Sequence, residues 1–173
     1  MKNPDIRGTP VRCSFDSPLG PMTLAATDKG LAGIWFDGQK HMPDTRAWPL
    51  EPAHPVLLQA QAELREYFAG QRRDFNLLLD LDQGTAFQQQ VWRALLGIPS
   101  GATLAYGALG SRIGRATAVR AVGAAVGRNP ISIVVPCHRV LGANGSLTGY
   151  AGGLERKRAL LQLEQSRQPT IAP

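Results

Sequence analysis

Cysteine and histidine are scarce in this chain, and their scarcity excludes several kinds of site. Cys13 and Cys137 are the only cysteines among 173 residues, too few for a disulfide framework, and neither forms part of a Cys-x-x-Cys pair. Of the three histidines, His41 and His54 lie in a Pro-rich segment and are interpreted as solvated loop residues rather than as metal ligands. The sequence therefore predicts no metal site.

Long apolar runs are also missing. Each apolar stretch is broken by Gly, Pro or a charged residue well before it could span a membrane, so we expect no transmembrane helix and no membrane partner. Residues 1–5 are polar and lack the apolar core of a signal peptide. We therefore predict a cytoplasmic location.

Acidic residues are in the minority. There are 13 Asp and Glu against 19 Lys and Arg, which gives a formal net charge of +6. A basic balance favours a polyanionic partner such as nucleic acid, although basic surfaces also occur on proteins that bind none. The charge alone leaves both interpretations open.

The first half of the chain alternates short strands with one helix. An irregular loop over residues 38–55 precedes an amphipathic helix at 56–68, and a further strand is predicted at 75–81. Turn signals separate three earlier strands, which make a predicted meander: residues 11–15, 22–27 and 31–36. The pattern then changes from strands to helices, so we place a domain boundary after Gly84 and expect domains of residues 1–84 and 85–173.

The second half reads as helical. Thr85 is a predicted N-cap for a helix at 86–96. Two short helices follow, at 106–113 and about 117–126, and a Gly-containing turn divides them, which is the outline of a helix-turn-helix. Any helical hairpin gives the same outline, so the pattern alone does not establish DNA binding.

The second of these short helices carries one arginine, Arg120, among small residues. Small side chains let a helix approach another surface closely. Tight packing within the protein explains them, and so does a helix pressed into a DNA groove with Arg120 protruding. Both explanations stay open at this point.

The last predicted helix covers residues 154–163, and Glu164 closes it. Residues 165–173 are polar, contain proline and are predicted to be disordered. Three basic residues of the helix are expected on its exposed face: Arg156, Lys157 and Arg158.

A thiol and an imidazole are adjacent at Cys137 and His138, after an apolar run at 131–135 that reads as a strand. Cysteine attacks as the thiolate, and His138 is a candidate base. Their side chains meet only at a turn or through a water, because neighbours on a strand point to opposite faces. A buried thiol beside an ordinary histidine is the common alternative, but the Gly-rich stretch at 142–153 favours a pocket in which main-chain groups grip a flat substrate.

The stretch IVVPCHRV at residues 133–140 resembles the active-site signature of the methylated-DNA-protein-cysteine methyltransferases, the O6-alkylguanine-DNA alkyltransferases. Further blocks in the same order are similar to that family, among them FQQQVW at 87–92, AVRAVG at 118–123 and GYAGG at 149–153. The resemblance implies an α/β N-terminal domain of ribonuclease H type and a mainly α C-terminal domain with a helix-turn-helix. It implies that the protein needs no cofactor and that its partner is double-stranded DNA containing alkylated guanine. It also implies that the protein is a monomer in the absence of DNA.

The same resemblance assigns the catalytic residues. Cys137 is the expected alkyl acceptor, and His138 is the base that takes its proton through a water. Glu164 is expected to orient His138, and Asn129 is expected to hold the turn that carries Cys137. Tyr106 is the expected donor to the guanine ring nitrogen, where negative charge develops as the base leaves.

Substrate and DNA contacts are implied in the same way. Backbone N–H groups around Tyr150 and Ala151 would bind the guanine oxygen, and the carbonyls of Cys137 and Val140 would read its exocyclic amine. Some relatives have a hydroxyl residue where this chain has Ala151. Arg120 would fill the space left by a flipped nucleotide, and small residues would let the helix enter the minor groove: Ala121, Gly123 and Ala124.

Two other functions compete with this one. In the first, the helix-turn-helix binds DNA or marks lesions without chemistry, although relatives of that kind lack the acceptor cysteine that Cys137 provides. In the second, Cys137 and His138 form a cysteine hydrolase, which would require turnover and an oxyanion hole and would leave Arg120 unexplained. We therefore expect a stoichiometric alkyltransferase, because no residue of the chain could reverse a thioether.

Overall fold

The computed structural model describes residues 8–166. Residues 1–5, which are predicted to lack a signal peptide, lie outside this range. The predicted disordered tail also lies outside it, apart from Gln165 and Ser166. The elements in chain order are β1 Val11–Ser17, β2 Gly20–Thr27, β3 Gly30–Phe36, α1 Pro55–Phe68, α2 Ala86–Leu95, β4 Leu104–Ala105, α3 Tyr106–Arg112, α4 Val119–Gly127, a 3-10 turn at Cys137–Arg139, β5 Val140–Leu141 and α5 Leu154–Gln165.

The first half contains the predicted meander. Strands β1, β2 and β3 pair antiparallel in chain order, and α1 packs against them with Leu57 and Leu64 fully buried. Gly30 takes a φ of 144° at the tight turn into β3, and a Cβ there would lie 2.4 Å from the Leu78 carbonyl oxygen. Glycine is required at this turn because any side chain would collide with that backbone.

The predicted strand at 75–81 is wrong. Only one bridge forms, between Leu31 and Leu79. The reason lies in the edge of β3, where Ala32 has no partner on β2 and forms a bulge. The bridge is parallel, so residues 80 and 81 would continue past the bulge, where Ile34 bonds to the backbone of Pro130 and Ser132 instead. Residues 75–77 would run back alongside residues 27–29, at the turn before β3 begins, and have no strand edge to join.

Local signals in the second half are confirmed. Thr85 caps α2 in a capping box with Gln88, and the Trp92 indole donates to the Ala125 carbonyl over 2.9 Å, which ties α2 to α4. Helices α3 and α4 form the predicted helical hairpin with Gly114, at a φ of 71°, in the turn between them.

The apolar run at 131–135 is not the predicted strand but a buried turn. Ile131 alone pairs, with Ile34, and Ile133 adopts a φ of 72°. The Asn129 side chain holds this turn at both ends, because its Oδ1 accepts from the Ile131 N–H over 3.0 Å and its Nδ2 donates to the Val135 carbonyl over 2.7 Å. Every residue in the run is buried, including its one polar residue, Ser132, which fits its predominantly apolar composition.

Helix α5 extends two residues beyond its predicted end, so Glu164 lies within the helix and Gln165 is helical rather than disordered. The prediction that Lys157 is exposed is also wrong, since it is fully buried. Across residues 8–166, no helix combines the length and the apolar character needed to cross a membrane.

Candidate functional site

Cys137 and His138 lie on the 3-10 turn Cys137–Arg139, which we call the cysteine turn. The Cys137 N–H donates to the Val135 carbonyl over 2.8 Å, and the Arg139 N–H donates to the Pro136 carbonyl over 3.0 Å. Cys137 is 5% exposed and His138 is fully buried. The predicted turn is therefore present, and it places both side chains on adjacent positions of one tight bend.

Cys137 opens into a cavity of about 170 Å³. Four of the predicted site residues line it with Cys137: Tyr106 at the start of α3, Gly123 on α4, and Tyr150 and Ala151 from the loop after β5. Lys40 and His41 also line it, although the sequence placed His41 in a solvated loop. The Lys40 N–H donates to the Ala151 carbonyl over 3.2 Å, so the first half of the chain forms part of the cavity wall.

The Cys137 thiol is a weak acid at rest. Burial raises its pKa, while a hydrogen bond with Asn129 and the charge of Lys157 act in the opposite direction. Because the net pKa is raised, the thiol needs a base to become a nucleophile at neutral pH. Asn129 lies where the sequence predicts it, between the buried turn and the sulfur.

His138 is placed to be that base. Its Nε2 lies 2.7 Å from Glu164 Oε1, and within residues 8–166 its buried Nδ1 has no hydrogen-bond partner. Burial lowers the pKa of His138, against the opposing effect of Glu164, so the ring is neutral at rest. A neutral ring bonded to the carboxylate through Nε2–H leaves Nδ1 free to accept a proton.

Glu164 is the most heavily bonded group of the site. Its Oε1 also accepts from the Tyr67 hydroxyl and from Arg139 Nη2, both over 2.8 Å, and its Oε2 accepts from Arg139 Nε over 2.9 Å. Burial would raise the pKa of Glu164, but the hydrogen bonds from His138 and Arg139 outweigh it and hold the pKa far below its usual range. The carboxylate is therefore ionised and fixed.

Two of these partners were not predicted. Arg139 is visible in the PCHRV stretch, and a buried arginine beside a buried carboxylate is the usual way to satisfy both charges. Tyr67 follows the apolar pattern of α1 and carries no sequence signal for a distant carboxylate.

Lys157 is a third unpredicted group of the site. Its ammonium donates to the carbonyls of Val140, over 2.6 Å, and of Thr148 and Gly149, each over 3.1 Å, and it lies 5.9 Å from the centre of the Tyr106 ring. The sequence carries one signal for its burial, because Lys157 shares a helical face with the apolar Leu160 and Leu161, three and four positions later.

Two predicted substrate-binding groups already have partners in the chain. The Tyr106 hydroxyl donates to the Thr148 carbonyl over 3.2 Å, and the Val140 carbonyl accepts from Lys157. Tyr150 and Ala151 stand half-buried at the cavity wall. We call Tyr106, Tyr150, Ala151 and the rest of the cavity lining the substrate side of the site, and the His138–Glu164 pair, which does not line the cavity, its proton-transfer side.

Helix α4 divides its residues between core and surface. Val122, Ala125 and Val126 are buried, so close packing within the protein accounts for part of the small-residue pattern. Three of the predicted DNA-binding residues are exposed on the outer face: Arg120, Ala121 and Ala124. Gly123 is half-buried and reaches the cavity, which makes α4 the element that joins this surface to Cys137.

Two family models match the chain. Residues 11–81 match the ribonuclease-like domain of 6-O-methylguanine DNA methyltransferase, and residues 86–166 match its DNA-binding domain. In the part of the chain that the structure describes, no cluster of three or more His, Cys, Asp or Glu side chains could hold a metal ion.

Relatives and solved structures agree with these matches. The methylated-DNA-protein-cysteine methyltransferase of Mycobacterium bovis is 50% identical over 156 residues, which is 90% of this chain and 93% of that protein. The crystal structure of Mycobacterium tuberculosis O6-methylguanine methyltransferase superposes with a TM-score of 0.85 at 48% identity and covers 93% of this chain and 96% of its own.

A second structure, Mycobacterium tuberculosis OGT in complex with DNA, superposes with a TM-score of 0.83 at 49% identity and covers 91% of this chain and 94% of its own. The predicted fold class is confirmed: a small ribonuclease-like sheet domain is followed by a helical DNA-binding domain. With both domains matched in order around the Cys137 cavity, the chain belongs to the 6-O-methylguanine DNA methyltransferase family.

Proposed function

We propose that this protein repairs double-stranded DNA by moving the alkyl group from O6 of guanine to the sulfur of Cys137, once per molecule. The observation that carries the proposal is a buried thiol at the end of a cavity, beside a neutral His138 that is bonded to an ionised Glu164. The family supports the activity, and this site supports Cys137 as the acceptor.

The reaction is an in-line displacement at the alkyl carbon. The thiol proton passes to His138 Nδ1, directly or through a water, and Glu164 stabilises the imidazolium that forms. The sulfur–carbon bond forms as the carbon–O6 bond breaks, and guanine leaves as an anion that is then protonated. Asn129 holds the buried turn and the sulfur, so that the thiolate points into the cavity.

Groups on the substrate side bind the leaving guanine. Tyr106 donates to the ring nitrogen as negative charge develops there, which requires its hydroxyl to exchange the Thr148 carbonyl for the base. Backbone N–H groups near Tyr150 and Ala151 bind O6. The Val140 carbonyl accepts from the exocyclic amine with its second lone pair, since Lys157 occupies the first.

Helix α4 presents the DNA-binding surface. The alkylated base must leave the duplex to reach Cys137, at a cost of about a few kcal/mol, and Arg120 fills the space that it leaves. Small side chains along α4 let its backbone approach the minor groove: Ala121, Gly123 and Ala124. The exposure of Arg120, Ala121 and Ala124 and the position of Gly123 at the cavity support this assignment.

The chain divides into domains after Gly84, at residues 1–84 and 85–173, and the two family matches on either side of it support this division. The monomeric state without DNA and the cytoplasmic location stay predictions from the sequence. Sedimentation of the purified protein with and without duplex DNA tests the first of these.

Intact-protein mass spectrometry tests the proposed reaction. The protein is incubated with duplex DNA that carries one O6-methylguanine, beside unmodified DNA and a Cys137→Ser variant. We expect a gain of one methyl group, confined to the parent protein and the lesion. Tight lesion-selective binding without any gain would indicate a damage-sensing protein instead, and multiple turnovers would indicate a hydrolase.

A further inference from the structure

The hydroxyl of Tyr67, in the first domain, contacts the proton-transfer side of the site. Tyr67 lies on α1 and Glu164 on α5, 97 residues apart in the chain, and both side chains are buried. The Tyr67 hydroxyl donates to Glu164 Oε1 over 2.8 Å. This is the same oxygen that lies 2.7 Å from His138 Nε2.

We propose that Tyr67 is a positioning residue for alkyl transfer, which acts through Glu164 to set how readily His138 takes the thiol proton. The inference rests on the proposed function and adds to it a part for the ribonuclease-like domain. Within residues 8–166, Tyr67 is not among the residues that line the Cys137 cavity, and its hydroxyl bonds to the carboxylate oxygen that faces His138. The Tyr67 hydroxyl also lies near Tyr150 on the cavity wall, where it adds to the burial that raises the pKa of Tyr150.

The physical basis is competition for the charge of one oxygen. Glu164 stabilises the imidazolium that His138 becomes, and every other donor to Oε1 withdraws part of that charge. The interaction is strong because the groups are buried and poorly screened by water. Without the Tyr67 hydroxyl, the carboxylate would hold the His138 proton more tightly and make the ring a stronger base.

Other charged or titratable groups face the same pair and set the background. Arg139, on the cysteine turn, donates to both Glu164 oxygens, and Lys157, on α5, disfavours a charge on His138. Cys137 is the proton's source. None of these groups is altered when the Tyr67 hydroxyl is removed, so a change in proton transfer can be assigned to that hydroxyl.

The Tyr67 ring is held independently of its hydroxyl. It packs edge-on against Phe68, with ring centres 5.3 Å apart, and against Phe75, with ring centres 5.4 Å apart. Tyr67→Phe therefore keeps the packing and removes the hydroxyl that donates to Glu164. Phe75→Leu is the matched control, because it loosens the same packing and leaves the hydroxyl in place.

The test is the pH dependence of the second-order rate of methyl transfer from lesion-containing duplex DNA, corrected for the active fraction. We expect Tyr67→Phe to move the pH of half-maximal rate upward by about 0.5–1 unit, in line with the loss of one hydrogen bond to a buried charge. Phe75→Leu is expected to lower the thermal midpoint without moving the pH profile. A Tyr67→Phe profile that superposes on the parent would overturn the inference.

A second readout needs no DNA. The ¹⁵N chemical shifts of the His138 ring report its protonation and tautomer in the free protein. We expect the His138 titration to move upward in Tyr67→Phe and to stay in place in Phe75→Leu; an unmoved titration in both would also reject the role. If the parent transfers no methyl group, the proposed function fails, while this titration still decides whether Tyr67 acts on His138.

Discussion

Lys157 offers the sharpest test of how the loop around the cavity is held. In Lys157→Met the side chain keeps much of its apolar volume, so little cavity is created. Three carbonyls lose a donor, but the Thr148 carbonyl keeps the Tyr106 hydroxyl, and Thr148 and Gly149 are exposed and can bond to water. The Val140 carbonyl belongs to a fully buried residue and is left unsatisfied, which costs about 1–3 kcal/mol.

This cost converts into a measurable shift. For a protein of this size, 1 kcal/mol lowers the thermal midpoint by about 2–4 °C, so Lys157→Met is expected to unfold about 2–12 °C below the parent. Differential scanning calorimetry measures the midpoint, with Arg158→Met as the control, because Arg158 is the exposed neighbour on the same helix. The control removes a positive charge without removing a buried bond.

Hydrogen exchange at residues 148–151 completes the assay. Loss of the two Lys157 bonds to this segment is expected to speed its amide exchange at a pH where the parent protects it. The reasoning is refuted if Lys157→Met unfolds at the same temperature as Arg158→Met. It is also refuted if the midpoint falls while exchange at 148–151 is unchanged, since the three bonds would then not hold the loop.

Three further predictions concern DNA, pH and the turn into β3. Arg120→Ala should slow repair of duplex DNA far more than reaction with free O6-methylguanine; equal losses would reject its role in base flipping. His138 has a lowered pKa in the folded state, so the unfolded chain binds more protons below about pH 6.5 and stability falls as the pH drops below that value. The urea midpoint of His138→Gln should depend less on pH in this acidic range, and an equal dependence would contradict the assignment. Gly30→Ala should lower the free energy of unfolding in urea by about 1–3 kcal/mol. Gly38→Ala is the control and should cost clearly less, because Gly38 also has a positive φ but its added Cβ would meet nothing within 4 Å. Equal costs would mean that the collision with the Leu78 carbonyl does not matter.

Predictions from the sequence held where neighbouring residues decide the structure. The Thr85 cap, the turn at Gly114 and the bend at Cys137 all depend on a few adjacent side chains, and each is confirmed. The predicted roles of Asn129 and Glu164 came from a resemblance, and the structure brings both side chains to the cysteine turn.

Predictions failed where distant residues decide. The strand expected at 75–81 would need a continuous edge on β3, which the Ala32 bulge interrupts. Lys157 was expected on an exposed face, but three backbone carbonyls of residues 140–149 accept hydrogen bonds from its ammonium inside the fold. Tyr67 could not be found from the sequence at all, because its partner is 97 residues away.

The position of Glu164 near the end of the chain also sets the order in which the reactive centre can form during synthesis. Cys137 and His138 leave the ribosome before the residue that fixes them, since α5 is the last helix of the described chain. Until that helix has emerged and docked against Tyr67 and Arg139, the imidazole lacks its carboxylate partner. A nascent or truncated chain that ends before residue 164 would therefore carry Cys137 and His138 without the carboxylate that orients the imidazole, so the assembled reactive centre forms only after the last helix has folded.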